Sequence, residues 1–136
     1  MKLNGHSHTD NMALRYIAIT GSTAKSCRKL KTLLKHTGYY CLIDCYKHPV
    51  DLEHKDSFYL PDYVIMEIRS LYAMFSVGKK IESLQDVFPN IKVILYYNML
   101  RRCPLLEQKH GQYPTVYAGD EEEKQLHQLS TLLQQE

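Results

Sequence analysis

One apolar run constrains the fold of this chain more than any other feature. Residues 63–68 read Tyr-Val-Ile-Met-Glu-Ile, so that Glu67 is the only charged residue in the segment. A run of this kind is typical of a central strand that is buried on both faces of a parallel sheet. Ligands of open α/β sheets bind outside the carboxyl ends of the strands. Glu67, near that end of its strand, is therefore a candidate functional residue.

The rest of the chain alternates between strand-like and helix-like segments. We predict strands at 16–20, 39–45, 63–68, 91–96 and 115–118. The predicted helices lie at 24–37, along the apolar stripe from Val77 to Phe88, within 99–113, and from Asp120 onwards, where Glu123 completes a capping box. Residues 46–60 are predicted to be a polar connection. Such alternation predicts an α/β fold: a flavodoxin-like, five-stranded parallel sheet of order 2-1-3-4-5 with helices on both faces.

Length and composition indicate one globular domain. The chain has 136 residues, and we expect a flexible tail at 1–13 followed by a single domain at 14–136. The tail contains His6, Ser7, His8 and Asp10. These residue types can bind a metal, but such a polar, aperiodic segment is more typical of an unstructured tail.

Charge and hydropathy narrow the setting in which the chain acts. A formal net charge of +2 is too small to imply a nucleic-acid or membrane partner. No apolar run reaches the roughly 20 residues of a membrane span, and the first residues lack the apolar core of a signal peptide. We therefore expect a cytoplasmic protein without a membrane partner.

The four cysteines do not form a recognisable metal or disulfide pattern. Cys41 and Cys45 are four residues apart on one predicted strand, which is too far along an extended chain for a disulfide between them. Cys27 and Cys103 lie elsewhere in the sequence, and no pair has the CxxC spacing. We expect all four to be buried free thiols in a reducing cytosol.

The element order and one local motif resemble the receiver domains of bacterial two-component response regulators, the CheY-like family. The resemblance covers about residues 14–134. In receivers, the third strand commonly reads Pro-Asp, four apolar residues, and then the aspartate that accepts the phosphoryl group. Here Pro61 and Asp62 are followed by four apolar residues and then by Glu67. The resemblance therefore assigns Glu67 to the phosphoacceptor position.

The other receiver signatures are missing from this sequence. The family's acidic pair follows the first strand, where this chain has Thr20 and Gly21. The family's switch Ser or Thr ends the fourth strand, where Tyr97 stands, and the family's Lys ends the fifth strand, where Tyr117 stands. The resemblance thus implies a degenerate receiver, or pseudo-receiver.

The missing residues bear on the family's chemistry. Phosphoryl transfer to a carboxylate needs a divalent cation, and Mg²⁺ usually takes oxygen ligands from more than one acidic group. One glutamate without acidic partners is a poor site, so we expect no catalytic residue, no metal and no cofactor. Mg²⁺ is expected only if the chain is instead a phosphorylatable receiver that uses Glu67 or a nearby acid. Two other readings of Glu67 are a constitutive phosphomimic, and a side chain that faces solvent or accepts backbone hydrogen bonds.

The turn after the first strand suggests a second alternative. Residues 19–26 have a strand–turn–helix pattern with hydroxyl groups and Lys25, and a helix N-terminus can hold a phosphate. The spacing fits neither the P-loop nor the dinucleotide fingerprint. A small flavodoxin-like protein that binds a nucleotide or flavin is nevertheless an alternative function.

The sequence as a whole indicates a non-enzymatic signalling module that acts through protein–protein contact. Tyrosine is enriched at interfaces, and Tyr97, Tyr113 and Tyr117 are predicted to lie near one face of the sheet. We expect a protein partner or homodimer at that face. Receivers usually control an output domain, often DNA-binding, so we expect either a stand-alone module or part of a longer regulator whose output domain is missing from this chain.

Overall fold

The computed structural model describes residues 13–54 and 60–134. Its centre is a five-stranded parallel sheet of order β2-β1-β3-β4-β5. The strands are β1 (Arg15–Thr20), β2 (Cys41–Tyr46), β3 (Tyr63–Ile68), β4 (Lys92–Tyr97) and β5 (Thr115–Tyr117). The predicted topology is therefore confirmed.

Five helices connect or follow these strands in the described part of the chain. They are α1 (Ala24–Lys35), α2 (Pro49–Glu53), α3 (Leu71–Val87), α4 (Pro104–Lys109) and α5 (Glu122–Gln134). The polar connection predicted for residues 46–60 is wrong in part, because α2 lies within it. Pro49 begins this helix, Asp51 accepts a hydrogen bond from the backbone N–H of His48 at 3.3 Å, and Leu52 is fully buried. Proline suits the first position of a helix.

The sheet separates two apolar layers. On one face, Ile17 and Ile65 pack with Leu30 of α1 and Leu129 of α5. The other face packs against α3 and includes α2 through Leu52. Every residue of β3 is buried, which confirms its predicted place at the centre of the sheet.

Helix α1 begins at Ala24 as predicted and ends at Lys35, two residues before the predicted end. The side chain of Thr23 accepts a hydrogen bond from the backbone N–H of Ser26 at 3.1 Å, as expected of an N-cap. Gly38 has a φ of +86°, a left-handed conformation that favours glycine after a helix.

The predicted capping box of the last helix is wrong. Helix α5 begins at Glu122, so Asp120 lies outside it, and Asp120 Oδ2 accepts no hydrogen bond. The buried amide of Gln125 instead donates to the backbone carbonyls of Ala118 (3.1 Å) and Asp120 (2.7 Å). A buried glutamine thus organises the turn that the sequence pattern assigned to a cap.

Two further predictions concern the N-terminal tail and membrane-spanning helices. Residues 1–12, with the candidate ligands His6, Ser7, His8 and Asp10, lie outside the described residues. Of the helices in the described ranges, none has the length and apolar character that crossing a membrane requires.

Candidate functional site

Glu67 is buried and hydrogen-bonded at the carboxyl end of the sheet. Its side chain is inaccessible to solvent. Ser22 Oγ donates to Oε1 at 2.6 Å, and Asn98 Nδ2 donates to Oε2 at 2.8 Å. The interpretation that Glu67 faces solvent or accepts backbone hydrogen bonds is therefore wrong, because side-chain donors from two neighbouring loops hold both of its oxygens.

The turn after β1 brings Ser22 to this carboxylate. Gly21 has a φ of +78°, and a Cβ atom built on it would lie 2.8 Å from the backbone carbonyl oxygen of Glu67. A residue with a side chain would therefore meet both a strained backbone and a collision. Glycine at this position lets the turn pass against β3 and aims the next residue at the carboxylate.

Two further residues complete the surroundings of Glu67. Asn98 directly follows β4, and its backbone N–H donates to the carbonyl of Ile68 at 2.9 Å, which continues the pairing of β3 and β4. Arg69 Nε lies 3.8 Å from Glu67 Oε2, but the Arg69 side chain is half exposed. The arginine adds positive charge at the mouth of the site, screened by solvent.

A cavity of about 630 Å³ opens beside Glu67. One wall is the turn of Gly21, Ser22 and Thr23, and the lining also carries a set of basic side chains. That set comprises Lys47, His48, Arg69 and Lys80. Lys25, the lysine singled out from the sequence, is not part of the lining. The cavity therefore combines one buried acid with several cations and the N-terminus of α1.

The structure separates the four predicted neighbours of Glu67. Gly21 is in contact with it, whereas the side chains of Tyr97 and Tyr117 belong to the opposite face of the sheet. The reason is the alternation of side chains along a strand. Glu67 pairs with Tyr96, so Tyr97, one residue further, points to the other layer. Thr20 is buried, and its hydroxyl oxygen has no hydrogen-bond partner.

Tyr97 and Tyr117 form a second cluster instead. Their rings stack with centroids 5.7 Å apart, and the guanidinium of Arg102 lies 3.9 Å from the centroid of the Tyr117 ring. Glu107 Oε1 accepts hydrogen bonds from Tyr117 Oη and Arg102 Nη2, both at 2.8 Å. The cluster borders a cavity of about 270 Å³.

The titration of this cluster follows from its burial and its charges. Burial, with smaller contributions from Glu107 and Tyr117, raises the pKa of Tyr97 to about 12. The hydrogen bond from Arg102 holds the pKa of Glu107 below its ordinary value. The cluster thus favours neutral tyrosines around one ionised glutamate.

The predicted tyrosine surface is mostly packed rather than exposed. Tyr97 is only 4% exposed, and Tyr113 and Tyr117 are partly buried against the same core. Exposed apolar side chains do lie beside them, because Leu100 borders the smaller cavity and Leu105 on α4 is 76% exposed. The face retains apolar surface, but leucines supply most of it.

Sequence reasoning missed three residues of the Glu67 site. Ser22 lies in a turn that the pattern marked as a helix start and possible phosphate site, not as a neighbour of Glu67, and Arg69 and Asn98 follow the ends of β3 and β4. The position of polar residues just after parallel strands is a signal that could have found them, since such residues meet at one edge of the sheet.

The cysteine prediction is wrong for two of the four residues. The sulfur atoms of Cys27 and Cys45 are bonded in a disulfide, with their Cα atoms 6.5 Å apart. Cys41 and Cys103 are free and only partly buried. The helix of Cys27 folds onto the strand of Cys45, a contact between distant segments that the cysteine spacing does not reveal.

Side chains around Glu67 match Mg²⁺ poorly. In the ranges that the structure describes, no group of three His, Cys, Asp or Glu residues is arranged to hold a metal ion. Both oxygens of Glu67 already accept hydrogen bonds, and the guanidinium of Arg69 lies 3.8 Å from one of them. Magnesium prefers several oxygen ligands with its own waters.

The order of the strands gives the chain an α/β fold with the CheY-type, flavodoxin-like topology, and Glu67 lies near the carboxyl end of the central strand. Solved structures with this fold include the pilus assembly protein CpaE from Caulobacter crescentus (TM-score 0.62, 12% identity, 86% of this chain and 92% of that chain). A CheY-like response regulator from Mesorhizobium loti gives a TM-score of 0.59 at 11% identity, over 90% of this chain and 100% of that one. A response regulator receiver protein from Sinorhizobium medicae gives 0.63 at 13% identity, over 88% and 94%.

These similarities rest on structure. No protein-family model matches the sequence, and no curated protein matches it significantly. At identities this low, the similarity establishes the fold, and function must be argued from the site.

Proposed function

We propose that the protein is a receiver-like signalling module that acts by protein–protein contact without accepting a phosphoryl group. The proposal rests on the hydrogen bonding of the Glu67 carboxylate. Both oxygens of this carboxylate accept internal hydrogen bonds, from Ser22 and Asn98. A nucleophilic carboxylate needs a free oxygen and a metal to balance the developing charge. In this site, the Glu67 oxygens instead accept hydrogen bonds from neighbouring side chains of the same chain.

The nature of the cations supports the same proposal. Arg69 lies 3.8 Å from Glu67, where a phosphorylatable site would need acidic side chains to bind Mg²⁺. The Glu67 carboxyl group accepts hydrogen bonds from Ser22 and Asn98 and thereby keeps the loops after β1 and β4 in one arrangement. The module would then present a constant surface to its partner, as a scaffold rather than a switch driven by phosphorylation.

Incubation with acetyl phosphate and Mg²⁺, followed by intact mass measurement, tests the absence of phosphotransfer. We expect no phosphoryl adduct under conditions that label an active receiver run in parallel. A stable adduct on the wild-type chain that disappears in Glu67→Gln would establish the phosphorylatable alternative. Circular dichroism of the variant checks that it remains folded.

The contact surface is proposed to lie beside the Tyr97–Tyr117 stack. Leu100 is fully exposed there and Leu105 is 76% exposed, whereas the tyrosines themselves are largely packed. Sedimentation velocity over a range of concentrations measures self-association. We expect association that is weakened by Leu100→Ser and Leu105→Ser. Tyr72→Ser, which removes an 85% exposed ring from α3, is the matched control and should leave association unchanged.

A second candidate function is the binding of an anionic small molecule in the larger cavity. The lining of that cavity carries Lys47, Arg69 and Lys80 beside the start of α1, and its volume of about 630 Å³ suits a nucleotide or flavin. A thermal shift series with nucleotides, flavins and inorganic phosphate tests it. A stabilisation that Lys80→Ala abolishes and Lys25→Ala preserves would favour this function, because Lys80 lines the cavity and Lys25 does not.

A further inference from the structure

A pair of cysteines closes one side of the Glu67 cavity. Cys27 lies in the first turn of α1 and Cys45 lies near the end of β2, and both line the cavity. Their Cα atoms are 6.5 Å apart, within the 4.4–6.8 Å range that a disulfide requires. No part of the receiver-like function proposed above uses them.

The two cysteines differ in their access to solvent. Cys27 is 6% exposed and packs in the core beneath α1, whereas Cys45 is exposed on β2, the edge strand of the sheet. Cys45 is therefore the more accessible residue of the two to a reagent in solution. This asymmetry is typical of an attacking and a resolving thiol.

The position of the pair links it to the Glu67 site. The backbone N–H of Cys27 donates to the carbonyl of Thr23, and the N–H of Gly21 donates to the carbonyl of Tyr46, the residue after Cys45. The turn that presents Ser22 to Glu67 is thus anchored at both ends beside a cysteine. A bond between the two sulfurs fixes the distance across this turn.

We propose that Cys27 and Cys45 form a reversible disulfide that responds to the redox state of low-molecular-weight thiols and thereby changes the Glu67 cavity. The thiolate of Cys45 attacks a low-molecular-weight disulfide, forms a mixed disulfide and releases one thiol. The thiolate of Cys27 then attacks the Cys45 sulfur and releases the second thiol. Two electrons pass from the protein thiols to the small disulfide, and the reverse reaction restores both thiols.

The remaining cysteines are poor competitors for this exchange. Burial raises the pKa of Cys41, which lowers its thiolate fraction, and its sulfur lies 3.6 Å from the carbonyl oxygen of Tyr39. Cys103 lies before α4, next to the second cluster. The geometry therefore selects one pair of the four cysteines.

Titration of the full chain with buffers of reduced and oxidised glutathione tests the proposal. After acid quenching and alkylation, intact mass and peptide mapping count and locate the disulfides. We expect one two-electron transition that links Cys27 to Cys45 and is unchanged in Cys41→Ser and Cys103→Ser. Four alkylated cysteines in the oxidising buffer, or a bond that glutathione does not reduce in the folded protein, would overturn the proposal.

The single cysteine variants test the assigned roles. Cys27→Ser should accumulate a glutathione adduct on the exposed Cys45, whereas Cys45→Ser should leave the buried Cys27 unmodified in the folded state. Adduct formation in the opposite order would refute the mechanism. Neither result depends on phosphotransfer or on a partner, so failure here is distinguishable from failure of the proposed function.

A structural readout tests the link to the cavity. Oxidation should shift the backbone amide resonances of Ser22, Glu67 and Asn98 in the wild-type chain and leave them unchanged in Cys45→Ser, in which neither a disulfide nor a glutathione adduct is expected. It should also favour the folded state by about two orders of magnitude in the unfolding equilibrium constant, because the bond closes a loop between residues 18 apart in sequence. Oxidation that leaves these resonances in place would refute the link to the cavity.

Discussion

The hydrogen bonds of Glu67 predict a graded loss of stability on its substitution. A hydrogen bond to a charged group contributes about 1.5–3 kcal/mol, and one between neutral groups about 0.5–1.5 kcal/mol. In Glu67→Gln, the amide oxygen can still accept from Asn98 and the amide N–H can donate to Ser22, so the bonds remain but lose their charge. The expected cost is therefore about 2–3 kcal/mol.

Glu67→Ala is expected to cost more. The substitution removes both acceptors and leaves the Ser22 hydroxyl and the Asn98 amide without their partner. Two lost charge-assisted bonds amount to about 3–6 kcal/mol. Arg69 adds little, about 0–1 kcal/mol at most, because its side chain is half exposed.

Urea unfolding followed by far-ultraviolet circular dichroism measures these losses. Glu82→Gln, on the exposed side of α3, is the matched control and should change stability by less than about 0.5 kcal/mol. A double-mutant cycle of Ser22→Ala with Glu67→Ala isolates the shared hydrogen bond, with an expected coupling of about 0.5–3 kcal/mol. Additive effects in this cycle, or a Glu67→Ala variant as stable as the control, would refute the reasoning.

Three further predictions concern the backbone and the titratable groups. Gly21→Ala should destabilise the protein more than Gly38→Ala. Both residues have a positive φ, whose strain costs an alanine roughly 1–2 kcal/mol, but only at Gly21 does a backbone carbonyl oxygen lie 2.8 Å from the added Cβ. Equal losses of stability in urea unfolding would contradict the predicted collision. Burial, and then the nearby charges of Glu67 and Glu122, raise the pKa of Tyr96 to about 12. The contribution of this residue to stability is therefore complete below pH 10 and is lost between pH 10 and about 12. Tyrosinate absorbance should show Tyr96 ionising late, and Tyr96→Phe should make the alkaline loss of stability less steep. The hydrogen bond that Glu107 accepts from Arg102 lowers the pKa of Glu107. The stability difference between wild type and Glu107→Gln should therefore be present at neutral pH and vanish as the pH falls below 4.5. A difference that persists in acid would contradict this prediction.

The order and type of most elements were predictable from local patterns in the chain. Five strand-like runs that alternate with helical stripes admit few topologies, because βαβ units are right-handed and a fully apolar strand must be covered on both faces. The start of α1 was predictable because the N-cap residue Thr23 acts within a few residues of the chain. The short helix α2 escaped prediction because its five residues give too little periodicity to recognise.

Which residues surround Glu67 depends on the tertiary structure. Position along a strand placed Glu67 at the carboxyl edge of the sheet, but the register of β3 against β4 decided that Tyr97 points away from it and that Asn98 binds it. A shift of one residue reverses the face of a side chain, so an alignment uncertain by one residue cannot assign neighbours. The pairing of Cys27 with Cys45 likewise depends on how α1 packs against the edge strand. Local patterns in the sequence specify elements, whereas contacts between distant segments exist only once the chain has folded.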